Sequence, residues 1–509
     1  MAQLTEDAAG STRRARLALV VVVIGVLVAA VDTTIVVLAL PEVQRSLHAG
    51  LASLTWVIIG YLLVITLLAI QVGRLGDMFG RVRMYEAGFV IFVAGSALCA
   101  LSFDVASMIA FRALQGIGGA LISANSGAVI ADAFPPERRG RAYGFTAVGW
   151  NLGAILGILL GGLITTYLSW RFVFWINVPI GLGAFFVGLR VLVDRGVRQR
   201  QRLDLLGMAV LGGSLFALLW AMVELASSPM SSGIAAALGL GAAGLVAFGV
   251  IESKVAAPMV QLSLLRSRTL TPALGASFFQ AVGTFAVLFL LTMYLQGVRQ
   301  LTPLHAAALL VPGYLVGALV APLGGRLADR VGTVAPATIG IGVMIVSLLL
   351  YTHLDPTSSL LLVVAGTVIS GIGSGLFFPA NNAAIMRSAP PGAFGVAAGL
   401  LRTFSNTGMV FSFTVALLVA SATIPRQIAF AIFVGTTQLS GAVGRAFTQG
   451  LHSAFTVSAA LLVAAALLSL SGVALRRRDR SRLAGAGGPG REAELAGIEE
   501  SGGEALIGG

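Results

Sequence analysis

GRLGDMFG, residues 73–80, returns as GRLADRVG at residues 325–332. Five of the eight positions match: Gly73/Gly325, Arg74/Arg326, Leu75/Leu327, Asp77/Asp329 and Gly80/Gly332. A second set of echoes runs at an offset of 255 residues. GIGGAL (116–121) pairs with GIGSGL (371–376), Pro135-Pro136 with Pro390-Pro391, and Asn151-Leu-Gly153 with Asn406-Thr-Gly408. In a chain with 64 glycines, glycine matches alone carry little weight, but the proline and asparagine matches share the offset. The chain is therefore read as two copies of one unit, running in the same direction.

The surroundings of the repeat define what that unit is. Of the 509 residues, 57% are hydrophobic and only 11% charged, and mean hydropathy is +0.94. A soluble domain carries about a quarter charged residues. Apolar runs of spanning length fall at 17–40, 53–72, 83–103, 106–131, 142–167, 170–192, 205–225, 232–252, 270–296, 304–326, 334–353, 359–386, 395–423 and 452–475. The expected fold is an all-α polytopic membrane protein with 14 transmembrane helices: two six-helix repeats plus two inserted helices. Residues 1–16 form an N-terminal tail, 17–200 a first bundle (helices 1–6), and 201–258 the inserted helices 7–8. Residues 259–475 form a second bundle (helices 9–14, with an outer loop at 424–451), and 476–509 a disordered tail. Arg13-Arg14-Ala-Arg16 precedes an apolar run too long for a signal peptide, so this run is read as a retained span.

The arginines orient the chain. With the N-terminus inside, 26 of the 33 basic residues fall in inside segments and five (Arg45, Arg171, Arg299, Arg426, Arg445) in outside loops. Such a bias predicts a multi-pass protein of a bacterial cytoplasmic membrane with both termini cytoplasmic. It also accounts for the net charge of +12 without nucleic acid. One cysteine, Cys99, and four scattered histidines offer neither a disulfide nor metal-ligand spacing, and no nucleophile–base set is present. No catalytic residue, metal or organic cofactor is expected; protons are the expected coupling ion.

Four stretches carry a family resemblance. GRLGDMFGRVR (73–83) looks like the loop motif after helix 2 of the major facilitator superfamily, and RALQGIGGA (112–120) like its helix 4 motif. VDTTIVVLALP (31–41) resembles the helix 1 motif of the fourteen-helix drug:proton antiporters, and GAILGILLGG (153–162) their helix 5 motif. The pattern departs at Ile158, where the family has proline, and at Val37, where it often has asparagine. The resemblance implies the major facilitator fold and a proton-coupled secondary transporter. Its substrates would be amphipathic, often cationic, drugs, exported by alternating access as in multidrug efflux and antibiotic resistance. The alternative is a same-fold exporter dedicated to a lipid, siderophore or endogenous metabolite. The expected partners are a small molecule and the lipid bilayer, with the protein a monomer.

Depth sorts the 21 acidic residues. Asp32 in helix 1 lies about 22 Å from the inner helix start, and Glu224 is near the outer end of helix 7. A buried carboxylate is costly to keep charged, so Asp32 is a candidate to load a proton or pair with a cationic substrate; its alternative is a hydrogen bond to Thr33, Thr34 or a neighbouring helix that merely fixes packing. Arg112 on helix 4 either sets the charge balance beside such a carboxylate, as the resemblance implies, or snorkels to the headgroups. Gln115 shares its face, and Gly116 completes the helix 4 motif. Gly73, Asp77, Gly80, Arg81 and the repeated Asp329 form either a conformational latch or a static clasp, with Asp77 capping helix 3 or pairing with another helix. Gly153, Gly157, Gly161 and Gly162 make a close-packing stripe on helix 5. Phe285, Phe289, Met293 and Tyr294 on helix 9 are the candidate cavity residues.

Overall fold

The computed structural model describes residues 2–134, 136–194, 204–227, 229–255, 258, 264–267, 269–388, 394–421 and 442–484. Among them the first half runs α1 (Ala2–Leu47), α2 (Leu51–Phe79), α3 (Arg81–Ala100), α4 (Val105–Ala133), α5 (Pro136–Tyr167), α6 (Phe172–Trp175) and α7 (Asn177–Val191). The inserted pair is α8 (Leu205–Ser227) and α9 (Ser232–Lys254). The second half runs α10 (Leu270–Thr284), α11 (Val287–Thr292), a π-helical turn (Met293–Val298), α12 (Pro303–Val331), α13 (Val334–Tyr351), α14 (Leu360–Arg387), α15 (Phe394–Ser421) and α16 (Ala442–Ala484). Twelve spans among the described residues are long and apolar enough to cross a membrane. Two further expected spans coincide with α2 and α15, which are 29 and 28 residues long.

Several expected boundaries move. α1 is already helical at Ala2, so the expected N-terminal tail continues the first helix. Residues 442–451, expected in an outer loop, are the first turns of α16, and 424–441 lie outside the described residues. The expected single helix at 270–296 is broken. The Ala286 N–H donates to Ser412 Oγ of α15 at 2.9 Å instead of continuing the helical ladder. A side chain inserted into the ladder is an ordinary cause of such a break.

Small residues set the packing. α1 and α5 run side by side, with Gly149, Gly153, Gly157 and Gly161 opposite Val23, Leu27, Val31 and Ile35 at a constant register. A Cβ at Gly153 would lie 2.5 Å from the Leu27 carbonyl oxygen and 2.8 Å from Ala30 Cβ. Such contact between backbones is what a stripe of small residues allows. Gly162 leaves this stripe and packs on Pro303 and Ala307 of α12, joining the two halves.

The repeat holds at the level of atoms. Gly408 stands to the Phe278 carbonyl (2.5 Å) and Ala281 Cβ (2.8 Å) as Gly153 does to Leu27 and Ala30. A Cβ at Gly118 would lie 2.8 Å from the Gly88 carbonyl oxygen, and one at Gly373, 255 residues on, 2.6 Å from the Gly340 carbonyl oxygen. Gly80 and Gly332 end α2 and α12 with φ of +109° and +87°, a backbone that glycine adopts freely. Gly73, expected at the turn, is instead inside α2. α3 and α7 pack antiparallel, Glu86 against Gly188, Val93 against Gly181 and Ser96 against Asn177.

Candidate functional site

Asp32 on α1 is fully buried, and three N–H groups from two other helices point at its carboxylate. Arg112 Nη1 of α4 donates to Oδ2 at 2.7 Å, Gln115 Nε2 of α4 to Oδ1 at 2.8 Å, and Asn177 Nδ2 of α7 to Oδ1 at 3.0 Å. Gln115 sits one helical turn beyond Arg112 and accepts from its Nη1 at 2.7 Å. Ser96 Oγ on α3 accepts from Gln115 (3.2 Å) and Asn177 (3.3 Å) and donates to the Phe174 carbonyl at 3.0 Å. Arg112 Nε donates to the Val57 carbonyl of α2 at 3.1 Å. Its guanidinium lies over the Tyr61 ring, 4.3 Å from the centroid, with Phe174 5.7 Å away. The ion pair is thus held by hydrogen bonds to α2, α4 and α7 and by aromatic walls, which offset part of the cost of burying it.

This geometry removes Thr33 and Thr34 as partners of Asp32 and a snorkelling Arg112, and it realises the third alternative, hydrogen bonds between Asp32 and neighbouring helices. The hydroxyls of Thr33 and Thr34 bond backward to the carbonyls of Ala29 and Ala30, so they do not serve Asp32. Arg112 is only 1% exposed, which excludes snorkelling to a surface. Gly116 lets α4 approach α2, where a Cβ would lie 2.9 Å from the Tyr61 carbonyl. Ser96, Asn177 and Tyr61 were not singled out in the sequence. Each is one polar group in an apolar run; Asn177 in FWINVPIG was the most visible, placed where α6 breaks and α7 begins.

The second half repeats the packing of this region but not its charge. Gly116 lies on the Tyr61 carbonyl as Gly371 lies on the Gly313 carbonyl. The same registers place Gly283 where Asp32 is, Thr367 where Arg112 is, and Ser370 where Gln115 is. The buried ion pair is therefore not required by the fold that surrounds it.

The remaining candidates lie elsewhere. Glu224 is half-buried on α8, which packs chiefly on α9, α15 and α2, and it is not among the partners of Asp32. Asp77 lies in the last turn of α2 with its side chain outside the described ones, and the N-cap of α3 is Gly80. Arg81 Nη1 pairs with Asp132 Oδ1 at the end of α4 (2.7 Å). In the second half Asp329 pairs with Arg387 at 2.8 Å, and Arg387 is the residue 255 positions after Asp132. The first half thus ties the start of α3 to the end of α4, and the second ties the end of α12 to the end of α14, with the charge at the α4 and α14 position reversed. Of the expected cavity residues, Phe289, Met293 and Tyr294 are buried in packed core, and only Phe285 is partly exposed. Tyr294 holds the loop after α13, donating from Oη to the Asp355 carbonyl at 2.7 Å.

Two helical bundles built on one repeat, with a charged network buried inside the first, define a secondary membrane transporter and not an enzyme. Residues 22–413 match the model of the Major Facilitator Superfamily, and the chain belongs to that family. The chain is 32% identical over 396 residues to the tetracenomycin C resistance and export protein of Streptomyces glaucescens, covering 77% of this chain and 73% of that protein. It is 30% identical over 395 residues to the riboflavin transporter RibZ of Clostridioides difficile, covering 76% and 84%. Among solved structures, the fold matches a bacterial homologue of the human lysosomal transporter Spinster in an inward-facing, unoccupied conformation. The TM-score is 0.61 at 18% identity, over 90% of this chain and 97% of that one.

Proposed function

We propose that this chain is a monomeric, proton-coupled exporter of amphipathic, often cationic, compounds, working by alternating access in a bacterial cytoplasmic membrane with both termini cytoplasmic. The observation that carries the reading is the Asp32–Arg112 pair, a buried charge with no counterpart in the other half. A proton on Asp32 Oδ1 meets two N–H groups already there, and one on Oδ2 cancels the charge that Arg112 pairs with, so loading it weakens the hold on these donors. The donor with most to lose is Arg112, whose released guanidinium then needs another partner. Proton binding and the arrangement of α1, α4 and α7 are coupled in this way. A substrate cation competing for Asp32 would make proton and substrate mutually exclusive. Relatives named for antibiotic resistance and export support the substrate class.

The test is ethidium transport in everted vesicles. Ethidium should drive proton release in wild type, and this release should be absent in Asp32→Asn. Full proton-coupled transport by that variant would overturn the assignment of Asp32.

A second reading, a dedicated exporter of one lipid, siderophore or endogenous metabolite, is supported by the similarity to a protein named a riboflavin transporter. A dye and antibiotic panel in a pump-deleted host separates the two: unchanged susceptibility to every drug favours the dedicated substrate.

A further inference from the structure

Glu86 lies five residues into α3, inside a span that runs Arg81–Ala100, and is 6% exposed. Both its carboxyl oxygens are buried and neither has a hydrogen-bond partner. It occupies the place a side chain at Gly188 would take: a Cβ there would fall on Glu86 Oε1. None of the described groups around it hydrogen-bonds to it, and Arg83, three residues earlier on α3, is exposed. Arg81, one turn earlier on α3, is committed to Asp132 of α4, and Tyr85 donates to the Val21 carbonyl of α1. On α2, Arg74 donates to the Pro258 carbonyl, and the side chain of Asp77 is outside the described ones. On α7, Arg190 is exposed, and Asp194 lies beyond it against Gly80. Arg195, Arg198, Arg200 and Arg202 lie outside the described residues.

An ionised carboxylate with no partner in such a place is strongly disfavoured, so the packed interface favours the protonated form. Packing alone does not call for it. The equivalent contact in the second half is made by Thr338 Oγ1 and Ser469 Oγ, an ordinary hydrogen bond of 3.0 Å between α13 and α16. Glu86 also shares its α3 face with Val93 and Ser96, and Ser96 belongs to the network that holds Asp32. The α3–α7 interface therefore carries one acid near its Arg81 end and the Asp32 network about 15 Å further along.

We propose that Glu86 is a second proton-binding site of this transporter, holding a proton while α3 and α7 are packed and exchanging it with water at the Arg81 end when they part. The step is one proton passing from water to a carboxylate oxygen and back. The proposal rests on the proton-coupled reading for the use made of that proton, but not for the site itself.

The test is infrared difference spectroscopy on the purified full chain in nanodiscs, without substrate, as pH is raised from mildly acidic to mildly alkaline. Wild type should show a protonated-carboxyl carbonyl band that disappears on alkalinisation. The band should be lost in Glu86→Gln and kept in Asp32→Asn. A Glu86→Gln spectrum identical to wild type, or a band that does not respond to pH, overturns the proposal. Should Glu86→Gln fail to elute as a monodisperse protein, Gly188→Ala carries the test. Its methyl displaces the carboxyl, so the band should move in frequency and titrate at a lower pH; an unmoved band overturns the proposal. A titrating Glu86 band alongside ethidium export without proton release would leave the site standing and remove the proton-coupled reading.

Discussion

Arg112 and Asp32 meet at 2.7 Å with 2% and 0% of their side chains exposed, and the repeat places a threonine and a glycine at the same two positions in the other half. Removing either partner alone leaves a charge buried with donors or aromatic rings that no longer match it. Losing one member of a buried pair costs about 3–5 kcal/mol, whereas removing both spares the uncompensated charge. Asp32→Asn and Arg112→Gln should each lower the thermal midpoint of the purified protein, and the double variant should be more stable than Arg112→Gln alone. Thermal unfolding followed by size-exclusion chromatography reads this. Additive losses in the double variant would mean the two residues are not energetically coupled.

Much of this was legible in the sequence, for identifiable reasons. The repeat was visible because glycines at helix crossings and at the turns after α2 and α12 are held by backbone contacts that other residues do not fit. Asp32, Arg112 and Gln115 stood out because charge in an apolar run is rare and because i, i+3 spacing places Arg112 and Gln115 on one face. Ser96, Asn177 and Tyr61 did not, since a lone polar side chain in a span has many ordinary uses until a fold brings it to a partner. Glu86 was hidden by its nearness to Arg81. Five residues from a helix start reads as an interface position, and only the packing of α7 shows that it is covered. The break after Thr284 was illegible because its cause, Ser412, is on another helix.

Gly157 and Gly183 offer a contrast in close packing. A Cβ at Gly157 would fall on Thr34 Oγ1 and lie 2.8 Å from the Val31 carbonyl, whereas one at Gly183 meets nothing within 4 Å. Overfilling a packed contact costs about 1–3 kcal/mol. Gly157→Ala should lower thermal stability and shift α1, which carries Asp32, away from α5. Gly183→Ala should be neutral. Equal midpoints for the two variants would contradict the close approach of α1 and α5.

The two clasps, Arg81–Asp132 and Asp329–Arg387, are partly or largely exposed, with side-chain exposures of 29% and 21% and of 69% and 54%. Ion pairs at such surfaces contribute only about 0–1 kcal/mol. Asp132→Asn and Asp329→Asn should therefore leave the thermal midpoint nearly unchanged. If the clasps part during the cycle, the same variants change the ethidium efflux rate. A charge swap, Arg81→Asp with Asp132→Arg, should recover much of that rate. Loss of stability with unchanged efflux would identify static fasteners and not latches.

Ser412 accepts the Ala286 N–H at 2.9 Å, at the break between α10 and α11, about one turn beyond Gly283, the position equivalent to Asp32 in the repeat. Both groups are buried. Ser412→Ala removes the acceptor and orphans that N–H, a penalty of about 1–3 kcal/mol. Ser412→Thr keeps the acceptor and should retain most of the stability. The orphaned N–H can be satisfied only if the backbone closes toward a continuous helix, which would straighten the span over 285–292. Hydrogen exchange of the amides over 284–290 measures this: exchange at Ala286 should be faster in Ser412→Ala than in wild type or Ser412→Thr if the break persists, and slower if the helix closes. Identical exchange in all three would show that Ser412 does not hold the break open.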